Sequence, residues 1–318
     1  MDLVKNDTTI QVLENIPYPT LNPNASWRPY LNLPDFTQLP HYEQQGWRLC
    51  SILFDRQQQQ RPTPSSLSQD TTTEPSQTKA EIIQKQTFDF KRWLIQTVSS
   101  NAEPALQVIK KQEPNDSYAE IFTCMTFGRI HEATSIAMKK MDDYVLAIFL
   151  ASPLSPENAI RQRNKLSKEK LKNKYHEKIW RLLSGQVDSE LTDGLDWKQA
   201  FMLYIMYGKT RSGEDPLNTL IERYLNDTRK LGKTIKERDS SPWYNMIQWW
   251  WQRTYNCQKL NTVDISGWPA RLAWRFILMF QDELSTTLVT SIIQRWCMEL
   301  QAIGLSKWAI FSSLFTSK

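Results

Sequence analysis

The stretch that decides the fold of this 318-residue chain is Leu195–Gly208, which reads LDWKQAFMLYIMYG. Trp197 and Phe201 are four residues apart, and Tyr204 follows three positions later. Residues at this spacing share one face of an α-helix. Asp196 precedes the apolar run in the position of a helix N-cap, where its carboxylate can accept from free backbone N–H groups. The stretch therefore predicts a capped helix with an aromatic face that is buried against neighbouring helices.

The same helical pattern continues through most of the chain. Between residues 284 and 300 a leucine, isoleucine or tryptophan recurs at every fourth position, which predicts a helix with a broad apolar face. From residue 80 onward one such helix follows another. Glycine occurs only 9 times, too rarely for the many turns of an all-β protein. Because the helices occur in pairs without a fixed period, the sequence predicts an all-α fold, an irregular α-helical solenoid folded back on itself.

The predicted solenoid domain spans residues 41–318, and residues 1–40 form a separate proline-rich segment. Six prolines between Pro17 and Pro40 predict an extended chain without helices. One interpretation is a strap that lies over a neighbouring surface, and the other is disorder. As a strap, the segment would be anchored by three aromatic residues, namely Trp27, Tyr30 and Phe36.

A helix is predicted from about residue 42 to residue 56, followed by a low-complexity loop at about 57–79. The helix carries Trp47 and Phe54, so it must pack against later helices to bury them. The loop reads QQQQRPTPSSLSQDTTTEPSQTK, and its near absence of apolar residues is typical of disorder.

The formal net charge of +5 is concentrated in one segment, residues 161–178. One interpretation is a patch for phosphate or an acidic partner, and the other is the solvated face of a helix. Stacking on nucleic-acid bases needs several aromatic rings, and Tyr175 is the only Phe, Tyr or Trp residue in this segment. The sequence therefore favours the solvated face and predicts no specific nucleic-acid partner.

No catalytic, cofactor or metal site is predicted. Cys50, Cys124, Cys257 and Cys297 are far apart and form no CxxC pair, so they indicate neither a zinc site nor a disulfide framework. Gly208-Lys209-Thr210 resembles the end of a phosphate-binding loop, but the glycine required five positions earlier is Leu203. The longest apolar runs have eight residues, as from Tyr144 to Ala151, against the roughly 20 that span a bilayer.

Two groups of residues are candidates for binding another protein. Trp249, Trp250 and Trp251 are consecutive, so their side chains point about 100° apart on a helix and at least one is expected to reach a surface. The alternative is a helix buried on all sides. Met138 and Met141 are the second group, because methionine suits a surface that repacks on a partner. The alternative for the methionines is the chain's own core.

Five segments, taken together and in this order, resemble the nucleoporin ninety-six family, the α-helical scaffold nucleoporin of the Y-shaped nuclear pore coat and a relative of vesicle-coat proteins. The resemblance covers about residues 42–315. The segments are WRLCSILFD at Trp47–Asp55, IWRLLSG at Ile179–Gly185, LDWKQAFMLYIMYG at Leu195–Gly208, RLAWR at Arg271–Arg275 and ELQAIGLSKWAIF at Glu299–Phe311.

This resemblance implies a J-shaped solenoid that folds back at a crown, placed at about residues 116–185. It implies a non-enzymatic scaffold at the nuclear pore complex in the nuclear envelope, supporting pore assembly and the transport of RNA and protein. The implied partners are other α-solenoid nucleoporins of the Y-complex. A further implied partner is a β-propeller coat subunit shared with the vesicle coat, although the family's strand-donating segment is not recognised in residues 1–40.

Two other function classes stay open on the sequence. One is a helical solenoid adaptor of a vesicle-coat or proteasome-lid-like assembly. The other is a helical RNA-binding protein that uses residues 161–178. The identity of the binding partners separates the first class from a pore scaffold, and salt-dependent affinity for RNA tests the second.

Limited proteolysis is expected to cut the chain first within residues 57–79, because this segment has almost no apolar side chains to bury. The two fragments should stay associated on a gel-filtration column, since the preceding helix is predicted to pack on later ones. Separation of the fragments without denaturant would contradict that packing.

Overall fold

The computed structural model describes residues 7–13, 16–22, 25–58, 78–152, 156–166, 173–210, 215–230, 241–255, 264–280 and 283–314. Within these ranges the fold is all-α, as predicted, apart from one N-terminal hairpin. The strands are β1 (Thr8–Leu13) and β2 (Ile16–Leu21), and a 3-10 helix covers Pro34–Gln38. The helices are α1 (Arg28–Leu31), α2 (His41–Gln58), α3 (Lys79–Ser99), α4 (Ala102–Gln112), α5 (Ser117–Thr126), α6 (Ile130–Met141), α7 (Tyr144–Ala151), α8 (Pro156–Lys165), α9 (Lys174–Leu183), α10 (Trp197–Tyr207), α11 (Pro216–Lys230), α12 (Pro242–Tyr255), α13 (Ala270–Phe280), α14 (Thr286–Ala302) and α15 (Ser306–Ser313).

The chain divides into two compact units. Unit 1 combines Met1–Gln77 with Ser240–Lys318, so both ends of the sequence contribute to it. Unit 2 is the continuous segment Thr78–Asp239. The predicted solenoid path over residues 41–318 stays a prediction.

Unit 1 is held together by aromatic rings from both of its chain segments. Phe54, on α2, lies 4.9 Å from Phe280 and 6.0 Å from Trp249, measured between ring centroids. Helices α2 and α12 approach closely at Gly46, where an added Cβ would collide with the Trp243 ring on α12. Helix α2 therefore packs on later helices, as predicted, but those helices follow residue 240.

The N-terminal segment packs against the helices of its own unit, unit 1. The backbone N–H groups of Trp27 and Arg28 donate to the carboxylate of Asp55, on α2, at 2.6 and 3.1 Å. All three predicted anchors are buried, namely Trp27, Tyr30 and Phe36. These contacts favour the strap interpretation for the described residues 25–40.

The expectation that the prolines exclude all helix from residues 1–40 is wrong for two short elements. Helix α1 contains Pro29 in its first turn, and the 3-10 helix begins at Pro34. Proline is compatible with a first turn because the N–H group that it lacks has no intrahelical partner there. The β1–β2 hairpin was not predicted either. Pro17 and Pro19 are two residues apart in β2, so their positions without N–H can both face away from β1.

Unit 2 contains the predicted aromatic helix as α10. Asp196 caps it and accepts hydrogen bonds from the N–H groups of Lys198 and Gln199. The Gln199 side chain accepts from the Asp196 N–H in return, which completes the capping box. The Phe201 ring lies 4.8 Å from that of Tyr224 on α11. The rings of Trp197, Phe201 and Tyr204 are all buried, as the sequence predicts.

Helix α5 begins with a different cap from the one expected. Ser117 and Glu120 have the spacing of a capping box, which predicts Ser117 as the N-cap, but Asp116 is the N-cap and accepts from the N–H groups of Tyr118 and Ala119. Glu120 instead pairs with Lys140 of α6 at 2.8 Å. The helix ends at Thr126, and Gly128 follows with a φ of +70° that favours glycine. Most of the predicted loop at 57–79 lies outside the described residues.

Replacement of Trp197 by alanine is expected to lower the free energy of unfolding by about 3–5 kcal/mol, because a large buried ring is lost from the core of unit 2. Urea denaturation followed by circular dichroism measures this change. Phe88→Ala is the control, since Phe88 belongs to the same unit but is 63% exposed, and it should cost under about 0.5 kcal/mol. Equal costs for the two variants would contradict the assignment of Trp197 to the core.

Candidate protein-binding surface

The candidate surface lies where α6 and α7 meet in unit 2. The two helices are joined by only two residues, Asp142 and Asp143. Asp142 adopts a left-handed conformation with a φ of 50°, and the Asp143 carboxylate caps α7 by accepting from the N–H of Leu146 at 2.9 Å. This tight turn brings the last turn of α6, with Met138 and Met141, beside the first turn of α7.

Apolar side chains are exposed on both sides of this turn. Met138 is 43% exposed, and Met141 is half-buried. On α7, Tyr144 and Ile148 are 58% and 57% exposed, and they share a face because they are four residues apart. Val145 is exposed as well. These five residues are called the α6–α7 surface, and exposed apolar side chains grouped in this way are typical of protein-interaction sites.

The apolar positions of the predicted crown divide between core and surface. Phe122, Met125 and Phe127, which lie in the predicted crown at about 116–185, are buried in unit 2. Met138 is exposed, as the interface hypothesis expects. Tyr144, Val145 and Ile148 were missed as candidates, because the candidates were chosen as methionines and as consecutive tryptophans. The sequence does contain a signal for them. Eight consecutive apolar residues occupy every face of a short helix, including any face that its neighbours leave exposed.

The expectation that one ring of Trp249–Trp251 reaches a surface is wrong. All three side chains are buried, with exposed fractions of 2%, 1% and 6%. The Trp249 ring lies 5.1 Å from that of Phe276 on α13 and 6.0 Å from that of Phe54 on α2. Helix α12 is therefore covered on more than one side by its own unit. Partner binding through these tryptophans stays a prediction that their burial does not favour.

Described parts of the basic segment 161–178 form ion pairs within unit 2. Arg163 pairs with Glu177 at 3.3 Å, and Lys174 pairs with Glu113 at 3.1 Å. The ammonium group of Lys178 lies 5.3 Å from the centroid of the Phe122 ring, and burial lowers the pKa of Lys178. These contacts favour the solvated helix face over a phosphate-binding patch. Residues 167–172 of the segment lie outside the described residues.

Two of the cysteines pack as small apolar groups. Cys50 and Cys124 are free thiols and are buried. Burial raises the pKa of Cys124 to about 12 and that of Cys50 well above its usual range. Both thiols are therefore protonated at neutral pH, and the reactive thiolate form is scarce.

The described parts of the chain contain neither a candidate metal site nor a candidate membrane span. His, Cys, Asp and Glu side chains do not gather there in any group that could hold a metal ion. None of the described helices combines the length and the apolar character needed to cross a bilayer.

Comparison with known proteins assigns a family to more than half of the sequence. The model of the family Nuclear protein 96 (Nup96) matches residues 119–318. No curated protein matches the chain. Helices α6 to α15 lie entirely inside the matched range, so it includes the α6–α7 surface.

Replacement of Trp249 by alanine is expected to lower the free energy of unfolding by about 3–5 kcal/mol, since the ring belongs to the core of unit 1. Thermal and urea denaturation measure the change. Ile310→Ala, at a position of the same unit that is 66% exposed, is the control and should cost under about 0.5 kcal/mol. A loss below about 1 kcal/mol for Trp249→Ala would return this ring to the candidates for partner binding.

Proposed function

The chain belongs to the Nup96 family of nuclear pore complex components at the nuclear envelope, and from this membership we propose that it is a structural scaffold subunit of the Y-shaped pore coat. It supports pore assembly, and through it the transport of RNA and protein, by contacts with other proteins. The family match over residues 119–318 is the observation that carries this proposal.

The physical character of the chain is that of a scaffold component. A scaffold works by holding surfaces in place, and the fold supplies long helices packed through large aromatic cores. The α6–α7 surface can form a scaffold contact, because covering exposed apolar side chains with a partner removes them from water and stabilises the complex. We therefore assign this surface to a neighbouring α-helical nucleoporin of the Y-complex.

A β-propeller coat subunit is the second proposed partner. The resemblance implies that family members complete such a propeller with strands from their N-terminal segment. The β1–β2 hairpin at Thr8–Leu21 provides strands in that part of the chain. The edge of a two-stranded hairpin can extend another sheet through backbone hydrogen bonds.

The double variant Met138→Glu/Met141→Glu is expected to weaken binding of the neighbouring helical nucleoporin at least about tenfold, because buried unpaired carboxylates are costly in an apolar interface. The variant should keep its melting temperature, since neither methionine is buried in the chain's own core. A pull-down from nuclear-envelope extract, with the partners identified and quantified by mass spectrometry, measures the loss.

A second variant and a control complete this experiment. Met138→Glu/Ile148→Glu changes two exposed positions of the same surface. It replaces the first variant in the binding test if Met141→Glu unfolds the protein. The control is Val108→Glu on α4, an exposed apolar position of the same unit outside the α6–α7 surface. If both surface variants fold and still bind, this surface is not the contact. Absence of every nuclear pore protein from the wild-type pull-down would contradict the scaffold proposal itself.

A further inference from the structure

Unit 1 contains a groove that the proposed function does not use. It has a volume of about 550 Å³ and is formed by residues 30–39, α2, α13, α14 and the turn before α15. Its floor is aromatic, since Trp47, Trp274 and Trp296 line it and are all buried. Its size is within the range of protein pockets that hold a small ligand or a few side chains.

The rim of this groove is also apolar. Leu33, Ile303 and Leu305 line it and are 41%, 67% and 38% exposed. Water therefore covers apolar side chains at the rim while the tryptophans lie below them. An apolar occupant that covered both would remove this surface from water, which is the usual driving force of association.

Two arginines give the groove a chemical preference. Arg271 and Arg275 both line it and are four residues apart on α13, so they lie on the same face of that helix. Arg271 is exposed and forms no ion pair with any described residue. Arg275 is 1% exposed, and its Nη2 donates to Asp7 at 2.8 Å and to the Ser26 carbonyl at 3.2 Å.

Two of the residues that line the groove carry buried N–H donors without an acceptor among the described residues. Nε and Nη1 of Arg275 and Nε1 of Trp296 are buried, and none of them hydrogen-bonds to a described residue. Buried N–H groups almost always have an acceptor. Asp35, which is exposed, is the one carboxylate among the described residues that line the groove. Asp7 balances the charge of Arg275, so Arg271 is the cation of the groove that no described carboxylate pairs with.

We propose that this groove binds a short peptide segment of a partner protein that carries an aspartate or glutamate between apolar side chains. The carboxylate pairs with Arg271, because this exposed guanidinium can donate to both of its oxygens at once. The apolar side chains on either side cover the tryptophan floor and the rim at Ile303. A basic segment would leave the donors unpaired and would repel Arg271, and a purely apolar one would bury Arg271 without a counter-charge.

The experiment selects from a random library of short peptides displayed on phage, using the whole purified chain as the target. The proposal expects enriched peptides that share an acidic residue flanked by apolar residues. Fluorescence anisotropy of the enriched peptide then gives its dissociation constant. Replacing the acid of the peptide by its amide should weaken binding about tenfold.

Matched pairs of variants place the peptide in the groove. Ile303→Glu at the rim should abolish binding, whereas Ile310→Glu, at a position of nearly equal exposure outside the groove, should leave it unchanged. Arg271→Gln should weaken binding about tenfold and Lys307→Gln should not. The amide peptide lacks the charge that pairs with Arg271. Its affinity for the Arg271→Gln variant should therefore be close to its affinity for the wild type, because the interaction is already absent.

Three results would overturn this proposal. The first is enrichment of peptides without an acidic residue. The second is equal binding by Ile303→Glu and the wild type. The third is sedimentation of the wild-type chain as a dimer that Ile303→Glu dissociates, which would make a second copy the occupant. These measurements use only the purified chain, so their outcome is independent of the proposed place in the nuclear pore.

Discussion

The contact between α2 and the helices after residue 240 is the constraint on which unit 1 depends. At Gly46 the backbone of α2 contacts the Trp243 ring. About two helical turns later, Phe54 packs on Trp249 and Phe280. The same helix supplies Asp55, which holds the N-terminal segment, and Trp47, which lines the groove. Without this contact the segment would lose its anchor, the groove its wall and Trp249 its cover.

Much of the helical structure could be predicted from the sequence, because helix periodicity and capping are local properties. The cap at Asp196 and the aromatic face of α10 follow from residues within one or two turns of each other. What could not be predicted depends on distant residues. Glu120 lies in the position of a capping box, yet Lys140 of α6 pairs with it instead. The hairpin was missed because prolines disfavour regular secondary structure, and only the pairing of β1 with β2 shows that Pro17 and Pro19 are compatible with a strand.

The candidate surface was predicted in part, for a similar reason. Met138 was chosen by residue type, and its exposure agrees with that choice. The three tryptophans were misplaced because a helix wheel considers one helix alone, whereas α12 is covered by neighbours from both ends of the chain. The exposure of Tyr144 and Ile148 depends equally on which faces of α7 its neighbours leave uncovered. Sequence periodicity identifies apolar faces, but only the packed structure tells which of them stay in contact with water.

The discontinuity of unit 1 has a consequence for how the protein is made. During synthesis α2 leaves the ribosome long before α12 and α13 exist, so Trp47 and Phe54 must wait for the whole of unit 2 to be translated. Contacts between such distant residues close large loops and slow folding, while exposed apolar helices are prone to aggregation. Unit 2 has all of its residues in one continuous segment and can fold first. Helix α2 is thus the part of the nascent chain that most needs a chaperone.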